Sequence, residues 1–120
     1  MKNGRKITGG KYSNKMRKKK SYERQGQKRI IKIADDKRKT IKVRGGKFKV
    51  ILLSGKSINV LAKGKTQKTE IKNVIETPSN RFLARQNVMT KGAIVDTGLG
   101  KVRITNRPTQ EGIINGVLIE

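Results

Sequence analysis

Two short strings in the 120-residue chain have the residue types of a phosphate-binding loop: Gly55-Lys56-Ser57 and Gly64-Lys65-Thr66. A loop that cradles nucleoside phosphates needs a further Gly five positions before the first and a helix after the last. Val50 and Asn59 stand at those upstream positions, and strand-forming residues follow. Neither string predicts a nucleotide triphosphate site. Asp35-Asp36 is the one adjacent acidic pair. Two carboxylates alone specify no dedicated Mg²⁺ site, so they read as a charged turn before the first barrel strand. With no Cys and no His, zinc sites, disulfides and the commonest general base are excluded. The expectation is a chain that is not an enzyme, with no cofactor, no metal and no small-molecule substrate.

The remaining chemistry is cationic. There are 31 Lys and Arg against 8 Asp and Glu, a net charge of +23. A domain tuned only for solubility sits at a magnitude of about 2–8. The excess repels itself until a polyanion relieves it. It is also uneven: residues 1–49 carry a net +17 and residues 50–120 a net +6. The first part supplies Lys2, Arg5, Lys6, Lys11, Lys15, Arg17, Lys18, Lys19, Lys20, Arg24, Lys28 and Arg29 as candidate phosphate contacts. Each such contact releases condensed counterions from a nucleic acid. Gly9 and Gly10 let the backbone come close to a phosphate chain. Tyr12 and Tyr22 sit among the charges, where aromatic rings can stack on unpaired bases.

A second basic group surrounds a turn, Arg44-Gly45-Gly46-Lys47, whose amides can form an anion-binding nest. Arg81 and Arg85, four apart on one helical face, make a third group with Lys91. Arg103 and Arg107 complete the candidates.

The elements that must position these cations divide in two. Before Ile30, large apolar residues are too sparse to build a core, so a basic arm over residues 1–37 is expected to order only on its partner. Lys15 to Tyr22 has helical potential, opposed by like charges four apart. From Arg38 the pattern becomes period two: Ile41/Val43, Phe48/Val50/Leu52, Ile58/Val60/Ala62, Val102/Ile104 and Val117/Ile119, each series marking one face of a strand. Gly45-Gly46, Ser54-Gly55, Lys63-Gly64 and Gly98-Leu99-Gly100 read as turns. The prediction is a mainly β fold: a small antiparallel β-barrel of about six strands over residues 38–120, closed because closure removes exposed edges. Ser79 or Asn80 caps one short helix through Arg85. The longest aliphatic run, Val50 to Leu53, is far short of the ~20 residues of a membrane span. A soluble intracellular protein is expected.

Several strings, in order and over nearly the whole chain, carry a family resemblance: TGGKY (8–12), KKKSYE (18–23), VRGGKFKVILL (43–53), KNVIETPSN (72–80), NVMTKGAIV (87–95) and LGKVRITNRPTQEGIINGVLIE (99–120). The sequence resembles the small-subunit ribosomal protein numbered eight in the series shared by archaea and eukaryotes, in its short archaeal form. The resemblance implies a cytoplasmic protein of the small ribosomal subunit that binds small-subunit rRNA and adjoins other small-subunit proteins. It also implies a β-barrel with a basic N-terminal extension. The chain departs from the family pattern at Arg24-Gln25-Gly26, where an apolar residue, Gly and Arg are usual, and at Met16 and Ser21, which stand for basic residues. Charge alone also fits a chromatin-type DNA-binding protein. A membrane-active domain would need an amphipathic helix with a large apolar face, which the arm lacks.

Overall fold

The computed structural model describes residues 4–11, 18, 20–23, 26 and 29–119. In chain order the elements are β1 (Lys32–Ile33), β2 (Lys37–Lys42), β3 (Phe48–Gly55), β4 (Ser57–Ala62), β5 (Lys65–Glu76), α1 (Arg81–Arg85), β6 (Ile94–Thr97), β7 (Gly100–Ile104), α2 (Pro108–Glu111) and β8 (Asn115–Leu118). Strands β4 to β8 close a five-stranded barrel, and β1-β3-β2 form a separate sheet.

The expected barrel of about six antiparallel strands is thus a barrel of five with one parallel seam. The seam follows from parity. Each strand from β5 to β8 runs antiparallel to the one before it, so the first and the fifth point the same way. They pair in parallel as Asn59↔Asn115, Val60↔Gly116 and Leu61↔Val117. Asn59 Nδ2 donates to Asn115 Oδ1 at 3.1 Å across the join. β2 stays out of the barrel because its sequence, KRKTIK, offers only Ile41 as an apolar contact.

Ile58, Val60, Ile71, Val74, Val95, Val102 and Ile104 fill the core. Ile71 and Val74 are three apart, which a regular strand would point to opposite faces. A register shift between Ile71 and Asn73 inserts an extra residue and returns both side chains inward, as a β-bulge does. The small sheet joins the same core through Leu52 and Ile31. Ile31 is 1% exposed, and its carbonyl accepts from Met89 N at 3.0 Å.

Three expected faces differ. On β3 the buried pair is Ile51 and Leu52, while Phe48 and Val50 are exposed. The strand lies in the small sheet, and only its second half reaches the core. On β8, Val117 and Ile119 lie outside, and the inward position is the glycine, Gly116. On β2, Val43 lies beyond the strand and is exposed. The short helix begins as expected: Asn80 Oδ1 accepts from Phe82 N at 3.0 Å. Lys63 and Gly64, with φ of 46° and 77°, form the two-residue left-handed turn that suits a hairpin. Among the described residues no helix is long and apolar enough to cross a membrane.

Asp36 does more than occupy a turn. Its Oδ1 accepts from Lys56 N at 2.8 Å and Ser57 N at 3.3 Å, and its Oδ2 accepts from Ser57 Oγ. It thereby ties the β1–β2 turn to the single residue, Lys56, that links small sheet and barrel. The Ser57 hydroxyl, then the Lys56 amide, hold its carboxyl below the ordinary value of 3.8, with a smaller contribution from Arg38. A depressed carboxylate contributes stability that is present above the unfolded pKa and lost as pH falls through the folded one. Asp36→Ala is expected to cost about 1–2 kcal/mol at pH 7, the lower part of the range for charged hydrogen bonds, because the side chain is 31% exposed. Urea denaturation at pH 7 and pH 3 checks this. The gap to the parent chain narrows at pH 3, and an unchanged gap contradicts the assignment.

Candidate nucleic-acid interface

The arm cations begin at a small hairpin. Arg5 and Lys11 form an antiparallel bridge. Lys6 N donates to Gly10 O at 2.8 Å and Gly9 N to Lys6 O at 2.9 Å. Gly9 takes φ +79°, the left-handed conformation that a side chain disfavours. The glycine pair therefore builds a turn that sets Arg5 and Lys11 side by side. Two like charges facing each other across strands repel, and an anion between them removes that cost. Lys18 is exposed, as is Lys20, whose amide donates to Glu23 Oε2 at 3.0 Å. Tyr22 is exposed in the 3-10 turn Ser21–Glu23. Lys2, Tyr12, Lys15, Arg17, Lys19, Arg24 and Lys28 lie outside the described residues, as does half of the helical candidate Lys15 to Tyr22.

Arg44, Gly45, Gly46 and Lys47 form the turn between β2 and β3, closed by Val43 N donating to Lys47 O at 2.8 Å. Gly45 and Gly46 both have positive φ, 78° and 70°. The turn is exposed and carries a cation on each side.

The third expected group is split. Arg81 and Arg85 line a cleft between α1 and β5 with Asn73 and Asn87. The Arg81 guanidinium lies 5.5 Å from the Phe82 ring centre. Lys91 is not with them. It meets Arg29 and Arg107 in a cavity of about 570 Å³ beside α2. It also meets Arg103 at a groove along β7 and β8. Three cations from positions 29, 91 and 107 thus converge, although no spacing along the chain links them.

Among the described residues, ion pairs join Arg38 to Asp36 at 3.9 Å and Lys56 to Glu70 at 2.8 Å. The cations of the β2–β3 turn, the α1 cleft, the cavity and the groove have no carboxylate partner there. No group of three or more potential metal ligands occurs among those residues.

α2 escaped the pattern reading, although its signals are present: Pro108 at the first helical position and Gly112 in the left-handed conformation just past its end. That signature would have placed Thr109 and Gln110 beside Arg107. The contributions of Asn73 and Asn87 to the α1 cleft, and of Ser79 to the cavity, leave no trace in linear spacing.

Fold and surface together define a small basic β-barrel scaffold. A family model described as Ribosomal protein S8e matches residues 1–119, and this chain belongs to that family, whose members are structural and not enzymes. Small ribosomal subunit protein eS8 of Nanoarchaeum equitans is 44% identical over 116 residues, spanning 95% of this chain and 91% of the relative. The protein of the same name from Methanocorpusculum labreanum is 46% identical over 118 residues, spanning 97% and 94%. That of Staphylothermus marinus is 44% identical over 119 residues.

Proposed function

We propose that this chain is a structural constituent of the cytoplasmic small ribosomal subunit. It binds small-subunit rRNA through phosphate contacts and adjoins other small-subunit proteins. Residues 1–29 act as an arm ordered by rRNA, while the rest of the expected arm, with Ile31 in the core, docks together with the small sheet and the barrel. The observation that carries the rRNA contact is the unneutralised charge. Four cation groups on and beside the barrel lack acidic partners among the described residues, and the arm carries further cations. Such a surface is attracted to any dense line of phosphates. The likeness, over nearly the whole chain, to proteins named for the small ribosomal subunit supports rRNA over other polyanions. Most contacts fall on phosphate and ribose, which position a protein but carry little sequence information.

Sucrose-gradient sedimentation of a cell extract tests the assignment. The chain is expected to travel with small-subunit particles and to be released by high salt. Sedimentation with DNA, and absence from ribosomal fractions, would instead make it a chromatin-type protein.

A further inference from the structure

The cavity beside α2 holds more than its rim of cations. Its volume, about 570 Å³, falls in the ~300–1,000 Å³ range of sites that hold a small organic molecule. Met89 and Pro108 line it, and both are buried. Lys49 Nζ donates to Gln110 Oε1. Lysine only donates, so that bond fixes the oxygen end of the amide and leaves its NH₂ as a donor at the cavity. Thr90 also lines it, and its Oγ1 is buried with no hydrogen-bond partner among the described residues. Among the described residues no carboxylate lines the space. Glu111, next along the chain, accepts instead from Asn106 Nδ2 at 3.0 Å and Arg107 N at 3.5 Å.

A seat for a bare phosphate needs only cations and amides. Apolar walls, an oriented carboxamide and hydroxyls match a larger ligand, one with a flat apolar face, polar edges and charge at one end. An unpaired nucleotide has that form. Bases splayed out of single-stranded RNA are held by hydrogen bonds to their edges and by stacking on flat groups, including guanidinium. We propose that the cavity seats one unpaired nucleotide of the bound RNA, base inward, with Arg29, Lys91 and Arg107 on the phosphates at its mouth. The proposal rests on the rRNA-binding reading and adds one shape-selective contact to a surface otherwise occupied by backbone. An acidic protein segment would satisfy the rim cations but not the apolar walls.

The test uses the full chain and NMR. AMP, GMP, CMP and UMP are titrated separately against inorganic phosphate and against tetraglutamate. At least one mononucleotide is expected to shift the Thr90, Thr109 and Gln110 signals saturably, and Arg107→Ala to weaken it about fivefold. An equal response to inorganic phosphate reduces the cavity to a simple anion site and overturns the proposal. A response to tetraglutamate with none to nucleotides assigns it to a protein partner and also overturns it.

On an rRNA fragment, Thr109→Trp, at a residue that lines the cavity, obstructs it. It is expected to weaken binding about tenfold, as loss of one stacked base does. The salt dependence stays unchanged, because no phosphate contact is removed. Should the thermal melt show that Thr109→Trp is misfolded, the exposed Gln110→Ala serves, with about a threefold loss. Unchanged affinity in a folded variant sinks the cavity proposal and leaves rRNA binding standing. Failure of the parent chain to bind rRNA sinks the underlying reading itself.

Discussion

Replacing Gly116 by Ala is expected to destabilise the protein by about 2–3 kcal/mol and to lower its Tm by about 10–20 °C. Gly116 sits on β8 at the parallel seam, opposite Val60. A Cβ there would lie 2.4 Å from Val102 Cγ1, 3.0 Å from the Arg103 carbonyl oxygen and 3.1 Å from Ile58 Cδ1. Two of these neighbours are core side chains and one is backbone, so little can give way. Overpacking a close-packed interior forces side chains off their rotamers and shifts the backbone. At this position the shift opens the barrel at its closing strand. Removing the nearest obstacle should recover part of the loss. Val102→Ala combined with Gly116→Ala is expected to be less destabilised than the two single effects summed. The recovery stays partial because the Arg103 carbonyl remains. Thermal melts followed by circular dichroism measure all four chains, and simple additivity would show that the clash with Val102 is not the cause.

The second large effect concerns the arm. Deletion of residues 1–29 removes 12 of the 31 Lys and Arg. It is expected to weaken rRNA binding about 100-fold at moderate salt and to cut the salt dependence by roughly half. The β signal in circular dichroism is expected to survive, because the cut stops short of Ile31, which packs into the core and bonds to Met89. Deletion of residues 1–37 removes that anchor. Losing a fully buried Ile side chain costs about 2–5 kcal/mol, a large share of the ~5–15 kcal/mol of a typical domain. The shorter deletion therefore reports on binding and the longer one also on folding. If the shorter deletion lost its β signal, the arm would be part of the folding unit.

Much of this design is written in local pattern. The contrast between a cationic arm and a period-two remainder is legible at once. So are the alternation of Ile58/Val60 and Val102/Ile104, the Asn80 cap and the Lys63-Gly64 turn. What escaped has physical causes. β5 was missed because its bulge places Ile71 and Val74 three apart, which breaks the alternation that marks a strand. The inward face of β8 was misread because its inward residue is Gly116, and a glycine carries no apolar signal. Phe48 and Val50 look like core residues, yet they lie on the first half of β3, which does not reach the core. The candidate interface divides in the same way. The Arg44–Lys47 turn and the Arg81/Arg85 pair are local and could be read directly. The meeting of Arg29, Lys91 and Arg107 depends on how the chain closes, and so does the role of Gln110. Asp36 reads as one acid of a charged turn, and only the fold brings Lys56 and Ser57 to it.

The central claim, that this basic surface is spent on rRNA phosphates, is tested most directly by the salt dependence of binding. The full chain is titrated with small-subunit rRNA fragments at several salt concentrations, and the logarithm of the association constant is plotted against that of salt. Neutralisation of about 8–12 phosphates predicts a slope of roughly −6 to −10. A slope shallower than about −2 would mean that only two or three phosphates are engaged and would contradict the account.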